Sequence, residues 1–566
     1  MKIAFWQAKT AILQCFPVYR QRKAATDQSA DKMKRMHNDN SLRRTVRRAL
    51  RITIVTVLTV AMASACGQET SAPAARPSST AETATVRLFV PQQTFPADFK
   101  PVNSWSAVAQ TAENTLKKTG FTTVSVESSA DVAQETAAIR SWSDSVPKGR
   151  NGSVLTPHIA VIAPVGTPGV CAAFTGGAFF GGILTAGCTN AMTPAEHNAL
   201  TAAVATLRKE RIPVVSIGDT GIGATATISM PTPKEIGIIE STNLVGKLKL
   251  SATSFTRPKQ ILVLTPRTSE TVAAAANTAA VSESRAAASA LDESSQQFFD
   301  GVWSVLKPYF KTGSAEDPAD PDLAVDAQTG QTPSEEMLWS GTTLDVSSSQ
   351  SLSNSVTAVL DTAKRNENAE LSSLQKATGS KQLAASSLTA PATIDGIIAA
   401  TDGIAQKIVA VLGRAGYSGS ASSVNPEITL DSLVSTIIGD ASLQKAAVPT
   451  PLQDGTGQQV ALIQRQKGIL ETLLAARGQS QWPVITGFGA AMASLPDILD
   501  GKQWMTGIVS RRTLVMDIAN ACHSIASGQQ PTTTTTAGPA IEPIDESNLK
   551  SALIDPGYVA PAEVGL

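Results

Sequence analysis

Histidine is scarce in this chain of 566 residues, and the only four are His37, His158, His197 and His523. No two of them are spaced as metal ligands, and the sequence contains neither a Gly-x-Ser-x-Gly elbow nor the motif set of a protein kinase. Acidic neighbours such as Glu335 and Glu336 lie in polar stretches, where carboxylates are usually solvated. We therefore expect no catalytic residues, no bound metal and no cofactor.

The chain also lacks the net positive charge and the many aromatic residues that would indicate a nucleic-acid partner. Lysine plus arginine and aspartate plus glutamate both total 47, so the formal net charge is zero, and aromatic residues make up 4% of the chain. Without a basic stripe and interleaved aromatics to follow a phosphate backbone, we expect no nucleic acid to bind. The chain is 42% hydrophobic and long enough for two or more compact units.

The first 66 residues have the pattern of an export leader. Basic residues between Lys34 and Arg51 precede an apolar run at residues 52–63, which is too short to span a bilayer and is typical of a signal-peptide core. The run ends in Ser64-Ala65-Cys66, which resembles a bacterial lipobox. The resemblance implies that Cys66 is acylated and begins the mature protein, which would be extracytoplasmic and anchored to the cell membrane. The alternative is a secreted protein in which Cys66 is free or paired.

Residues 67–84 form a segment rich in Ala, Ser, Thr and Pro, with almost no bulky apolar side chain. Such a composition cannot bury enough apolar surface to fold, so it indicates a tether between the membrane and the folded domain.

Two further cysteines, Cys171 and Cys188, flank a glycine-rich stretch at residues 176–182. An exported chain meets oxidising conditions, and the two thiols could close a disulfide over this stretch; the alternative is a pair of buried free thiols. The glycines lack the following Lys-Ser/Thr of a phosphate loop, which favours a flexible loop over nucleotide binding.

Beyond residue 85, short apolar runs alternate with amphipathic helical patterns, which is typical of parallel sheets with crossover helices. The predicted helices include residues 106–118, 194–209 and 404–414. The predicted buried strands are residues 86–90, 122–126, 158–163, 214–217, 261–264, 394–399 and 484–486.

Several segments of this region resemble the periplasmic sugar-binding proteins, particularly the D-xylose-binding and multiple-sugar-binding members. They follow the family's order along the chain: FFDGVWSVLKPY at 298–309, IDGIIAATDGIA at 394–405, PVITG at 483–487 with a helix at 495–500, GKQWMT at 501–506, and SALIDP at 551–556 as the closing strand.

The resemblance implies an α/β fold of two doubly wound parallel-sheet lobes joined by a hinge of three crossing segments. It places the N-terminal lobe at 85–257 with about 508–529, and the C-terminal lobe at 258–507 with about 530–566. Insertions relative to the family fall at 271–295, 314–336 and 418–465, and residues 467–477 are expected to add a helix. The implied partners are a small neutral polar ligand, a sugar, and the permease subunits of an ABC importer.

Ligand-binding residues are expected just after the strands, because ligands of such sheets bind beyond the carboxyl ends. Asp402 matches the family's binding turn, with a helix N-cap as its alternative, and Asp219 follows strand 214–217, with a simple turn role as its alternative. Trp105 and Trp339 are candidate stacking rings for a sugar face, or else packing residues.

The chain also departs from the family at its pocket. Phe488-Gly489 replaces a Gln-Asp pair, Thr401 replaces an Asn, and Met230-Pro231-Thr232 stands where an aromatic-Asp-Asn turn is expected. Losing several hydroxyl-binding groups argues against ordinary xylose binding. The alternative function is a surface lipoprotein that uses the same fold for adhesion, sensing or scaffolding, with no transported sugar.

Overall fold

A computed structural model describes residues 84–93, 95, 100–149, 154, 156–174, 192–219, 221–253, 257–267, 281–320, 343–378, 390–423, 468, 481–529, 539–564 and 566. The unit described below spans residues 77–566. The predicted leader, Cys66 and residues 67–83 of the tether lie outside the described residues.

The first sheet has five strands, all paired in parallel, in the order β2-β1-β3-β4-β5. The order places strands on both sides of β1, so β1 and β3 form the switch point of a doubly wound sheet. Its strands are β1 Thr85–Pro91, β2 Thr123–Ser129, β3 His158–Ile162, β4 Val214–Ile217 and β5 Ala226–Ile228. Its helices are α1 Trp105–Lys118, α2 Val132–Ser145, α3 Pro168–Ala172 and α4 Pro194–Lys209.

Strand β1 shows how the two faces of this sheet are covered. Leu88 and Val90 join a core cluster with residues of α1, whereas Phe89 between them joins a second cluster with residues of α2 and α4. Successive side chains of a strand point to opposite faces, so a continuous apolar run is what a sheet with helices on both faces requires.

The second sheet repeats this plan. Strands β9 and β10 lie on one side of β6 and β7 lies on the other, while β8 pairs in parallel with the carboxyl end of β6. The strands are β6 Lys259–Arg267, β7 Ala315–Glu316, β8 Thr343–Asp345, β9 Gly396–Ala399 and β10 Val484–Ile485. The helices are α5 Pro233–Leu248, α6 Val281–Lys311, α7 Ser349–Thr378 and α8 Asp402–Ala415, with α5 packed on α6 and α7 on α8.

The last elements connect the two sheets. They are α9 Leu495–Leu499, β11 Met505–Val509, α10 Arg511–Ala526 and β12 Ile541–Asp545. Helix α10 packs on α1 and on β3, β4 and β5, whereas β11 and β12 pair with each other and contact α5. We call β1–β5 with α1–α4 and α10 the first lobe, and the other elements the second lobe. The described elements therefore pass between lobes three times.

The predicted α/β architecture is confirmed, and several details are corrected. Helix α5 packs on α6 and β9, so the first crossing precedes Pro233 rather than residue 257. The predicted closing strand at 551–556 is a helical turn, Lys550–Ile554, and the strand is β12 instead. The insertion at 271–295 does not form a separate helix where it is described, because α6 runs without a break from Val281.

No helix among the described residues is long and apolar enough to cross a membrane.

Candidate functional site

The carboxyl ends of the two sheets meet directly. The segment that follows β1 and the segment that follows β10 form an antiparallel bridge between Pro101 and Ala491. The Val102 amide donates to the Ala490 carbonyl at 2.9 Å, and the Met492 amide donates to the Lys100 carbonyl at 2.7 Å. Because ligands of doubly wound sheets bind beyond these ends, a ligand would lie in the space that the two edges share.

Asp402 lies beside this bridge, but its carboxylate accepts hydrogen bonds from the protein itself. The residue is fully buried, and Oδ1 accepts from Gln503 Nε2 at 2.8 Å. Oδ2 accepts from the Ala491 amide at 2.8 Å and from Thr506 Oγ1 at 3.0 Å. The predicted alternative, a helix N-cap, is wrong because Thr401 caps α8. A ligand could reach Asp402 only if these bonds opened.

Two buried acids lie close together in this region. Burial raises the pKa of Asp402 from its usual 3.8 to about 6, although its hydrogen bonds to Gln503, Ala491 and Thr506 lower it in part. Burial also raises the pKa of Glu240, on α5, well above its ordinary range. The Thr486 hydroxyl donates to Glu240 Oε2 at 2.7 Å, whereas Glu240 Oε1 has no hydrogen-bond partner. The acids thus differ in their number of donors, and Asp402 is better suited to hold a charge.

Trp105 is a core residue. Its ring is fully buried, its indole N–H donates to the Val170 carbonyl at 2.9 Å, and it packs against Phe174 with 5.3 Å between ring centroids. An indole whose polar atom is already bonded and whose faces are covered has no surface to offer a sugar. No face of the Trp105 ring is therefore free to stack on a sugar. The observed contacts are those of the alternative, a packing residue.

Asp219 follows β4, as predicted, and is partly exposed at the carboxyl end of the first sheet. Its Oδ1 accepts from the Gly221 amide at 2.6 Å, which is the turn role named as its alternative. Its Oδ2 lies 3.5 Å from His197 Nε2 at the start of α4. The hydrogen-bond partners of Asp219 and Asp402 do not overlap, and of the two side chains only that of Asp219 is partly exposed, at 14%.

Other predicted positions are only partly described. Cys171 is disulfide-bonded, while its predicted partner Cys188 lies outside the described residues. Trp339, the glycine-rich stretch 176–182, the added helix at 467–477 apart from Gly468, and most of the insertions 314–336 and 418–465 also lie outside them. Cys522 is a buried free thiol.

Sequence reasoning missed a buried arginine at the junction of the lobes. Arg511 begins α10, and its Nη2 donates to the Val102 carbonyl at 2.9 Å, while its guanidinium lies 4.1 Å from the centre of the Tyr558 ring. The C-terminal residues around Tyr558 form a separate apolar cluster with Val102, α9 and β11. The only sequence signal was an Arg at the start of a helix after a strand, a pattern that surface residues also have.

Among the described residues, no three His, Cys, Asp or Glu side chains come together in a way that could hold a metal ion.

No protein-family model and no curated protein matches the chain. Similar solved structures include an ABC transporter solute-binding protein from Clostridium phytofermentans with bound β-D-glucose, at 16% identity and a TM-score of 0.41, covering 85% of this chain and 99% of that one. A carbohydrate transporter solute-binding protein from Chloroflexus aurantiacus, in complex with D-glucose, has 16% identity and a TM-score of 0.39, with 85% and 98% covered.

A periplasmic solute-binding protein from Actinobacillus succinogenes with bound D-allose has 10% identity and a TM-score of 0.37, with 83% of this chain and 99% of that one covered. The two-lobed architecture is established by the strand order and the three crossings of this chain itself. The solved structures named above, to which the chain is similar, are solute-binding proteins of transporters.

Proposed function

We propose that this protein is an extracytoplasmic solute-binding lipoprotein that captures a small neutral polar ligand, a sugar, for an ABC importer. The observation that carries the proposal is the bridge between Pro101 and Ala491, which joins the segments after β1 and β10. Two doubly wound sheets whose carboxyl ends face each other have the geometry of a receptor that closes two lobes on one ligand.

The segments that resemble sugar-binding proteins lie around this junction. The stretch at 394–405 contains β9 and the start of α8, and the stretches at 483–487 and 501–506 contain β10 and the start of β11. They therefore support a solute-binding role from the sequence, independently of the strand order. Permease subunits are the expected partners, because a two-lobed receptor presents both lobes to a transporter when it closes.

A second function is favoured by the burial of Asp402 and Trp105. Both are fully buried, and their polar atoms are bonded within the chain. A receptor keeps such groups available for ligand hydroxyls, because paired donors and acceptors offset the loss of water. Internal use of these groups fits a surface lipoprotein that has kept the fold for adhesion, sensing or scaffolding.

A calorimetric screen of pentoses, hexoses and short oligosaccharides separates these functions. For any sugar that binds, Asp219→Ala should lower the affinity of the protein for that sugar about tenfold, as expected when a charged hydrogen-bond acceptor is removed. Asp144→Ala is the matched control, because Asp144 is exposed near the end of α2 and should leave affinity unchanged. Absence of binding to all sugars would favour the second function, and a hit insensitive to Asp219→Ala would place the site elsewhere.

The membrane anchor is tested separately. Mass spectrometry of the protein isolated from membranes should find a mature chain that begins at Cys66 and carries diacylglycerol. Cys66→Ser should abolish the modification and release the protein from the membrane. Cleavage at another residue, or an unmodified Cys66, would contradict the anchor without bearing on ligand binding.

A further inference from the structure

The turn at residues 489–491 is held in a strained conformation. Ala490 has a φ of 45°, and Gly489 before it has a φ of 118°. A non-glycine residue in the left-handed region costs on the order of 1 kcal/mol and persists only where neighbouring contacts hold it. Two side chains make those contacts: the Ala490 amide donates to Thr506 Oγ1 at 3.1 Å, and the Ala491 amide donates to Asp402 Oδ2 at 2.8 Å.

The same turn carries the backbone connection to the first lobe. The carbonyl of Ala490 accepts from the Val102 amide, and Ala491 forms the bridge with Pro101. A change at the Asp402 carboxylate is therefore transmitted through the adjacent backbone to the contact between the lobes.

All three neighbours of the Asp402 carboxylate are hydrogen-bond donors: an amide N–H, a side-chain NH2 and a hydroxyl. An ionised carboxylate can accept hydrogen bonds from all three donors. A protonated carboxyl is a weaker acceptor, and its own O–H group needs an acceptor that these neighbours do not supply. Proton uptake should therefore weaken the bond that holds the Ala491 amide.

The surrounding titratable groups do not take over this role. Glu240 approaches Asp402 from α5, and burial raises its pKa well above its ordinary range. Because Glu240 accepts one hydrogen bond and Asp402 accepts three, Glu240 keeps its proton when Asp402 has lost its own. Lys247, further along α5, lies over the Trp504 ring and towards Asp545 and Glu546. In the connection between β10 and β11, Asp497 and Asp500 lie near Lys502, which donates to the Gly419 carbonyl at 2.6 Å.

We propose that the Asp402 carboxylate is a proton-sensitive latch at the junction of the lobes. As an anion it holds the 489–491 turn against the segment after β1, and its protonation releases that turn and loosens the connection. The latch does not depend on the proposed sugar ligand, because all of its parts belong to the chain.

Amide hydrogen exchange on the full chain tests the latch. After correction for the intrinsic pH dependence of exchange, protection of the peptide around residues 488–495 should fall about tenfold between roughly pH 7.5 and pH 5. The midpoint should lie near pH 6, where Asp402 takes up its proton. A pH-independent protection in the native chain would overturn the proposal.

Three variants sharpen the test. Asp402→Asn should abolish the pH dependence, whereas Asp395→Asn, at the other end of the same strand, should keep it, because Asp395 pairs with Lys259 at 2.6 Å. Thr506→Val removes one donor to the anion and should move the midpoint to higher pH, and Thr506→Ser should restore it. If Asp402→Asn does not fold, the Thr506 pair still decides the matter, and an unchanged midpoint in Thr506→Val would refute the latch.

Discussion

Arg511 Nε donates to Asn103 Oδ1 at 2.7 Å, although 408 positions separate the two residues in the chain. Asn103 in turn donates through Nδ2 to the Val509 carbonyl at 2.9 Å. The first turn of α10, the segment after β1 and the end of β11 are thereby fixed to one another at the junction of the lobes. Arg511 is buried, so these bonds compensate for the loss of water around its charge.

Arg511→Ala should lower the free energy of unfolding by about 2–4 kcal/mol, because it leaves the Asn103 and Val102 oxygens buried without their charged donor. Arg512→Ala is the matched control, since Arg512 is the exposed next residue of the same helix and should change stability by less than about 0.5 kcal/mol. Urea denaturation measures both. Equal effects of the two substitutions would show that the Arg511 bonds contribute little.

Gly237→Ala should destabilise the second lobe by about 3 kcal/mol or more, because a Cβ there would collide with the Phe298 carbonyl on α6. Gly413→Ala, on α8, should instead stabilise the protein by roughly 0.5–1 kcal/mol, because nothing lies near the added methyl and alanine favours the helix. Thermal unfolding of the two variants should shift in opposite directions. A tolerated Gly237→Ala would mean that α5 and α6 can separate at little cost.

Glu135 should make stability fall as pH rises. Burial raises the pKa of Glu135 from its usual 4.5 to about 8, with only a partial offset from the Val165 amide. Between these values the folded protein holds a proton that the unfolded chain has lost, so stability decreases by up to about 1.4 kcal/mol per pH unit.

Glu135→Gln should reduce this slope by up to about 1.4 kcal/mol per pH unit across the same pH window, measured by urea denaturation at several pH values. Asp402 and Glu240, whose pKa values burial also raises, keep their own contributions to the slope. Glu113→Gln is the control, since Glu113 forms a surface pair with Lys117 at 2.6 Å and should leave the slope unchanged. A slope as steep in Glu135→Gln as in the native chain would contradict the contribution of Glu135.

Cys171 and Cys188 should be recovered as one disulfide-linked peptide, because Cys171 is disulfide-bonded and both residues flank the same glycine-rich stretch. Thiol labelling without reductant should modify neither of them. Cys522, buried and free, is the internal control and should react only after unfolding. A linked peptide that joins Cys171 to Cys66 or to Cys15 would refute the predicted pairing.

The sequence predicted the sheets well because burial on both faces produces continuous apolar runs. The predicted strand at 214–217 coincides with β4, and the predicted helix at 194–209 coincides with α4, where Thr193 and Glu196 form a capping box. The short strands β5, β7 and β8 were missed, because two or three residues are too few to show a period. The closing strand that the family resemblance implied at 551–556 was wrong, because the short apolar stretch there forms a helical turn, and its pattern fits either structure.

The site was less predictable than the fold. The sequence pattern placed Asp402 directly after β9, but it did not show that the carboxylate is bonded within the protein. Its donors, Ala491, Gln503 and Thr506, lie 89 to 104 positions away in the chain. Whether a carboxylate after a strand faces a ligand or its own protein is decided by such distant partners. No local pattern contains that information.

Helix α10 also affects how the chain can fold during synthesis. Its Leu514, Ile518 and Cys522 complete the core that α1 and the first sheet leave open, yet they follow nearly the whole second lobe in the chain. Residues 84–228, although made first, cannot close their core until residue 526 has emerged. Their folding depends on contacts of very long sequence separation, which form slowly. The first lobe therefore cannot reach its native state before α10 has been synthesised, and a chain that stops short of α10 exposes the apolar groove that this helix covers.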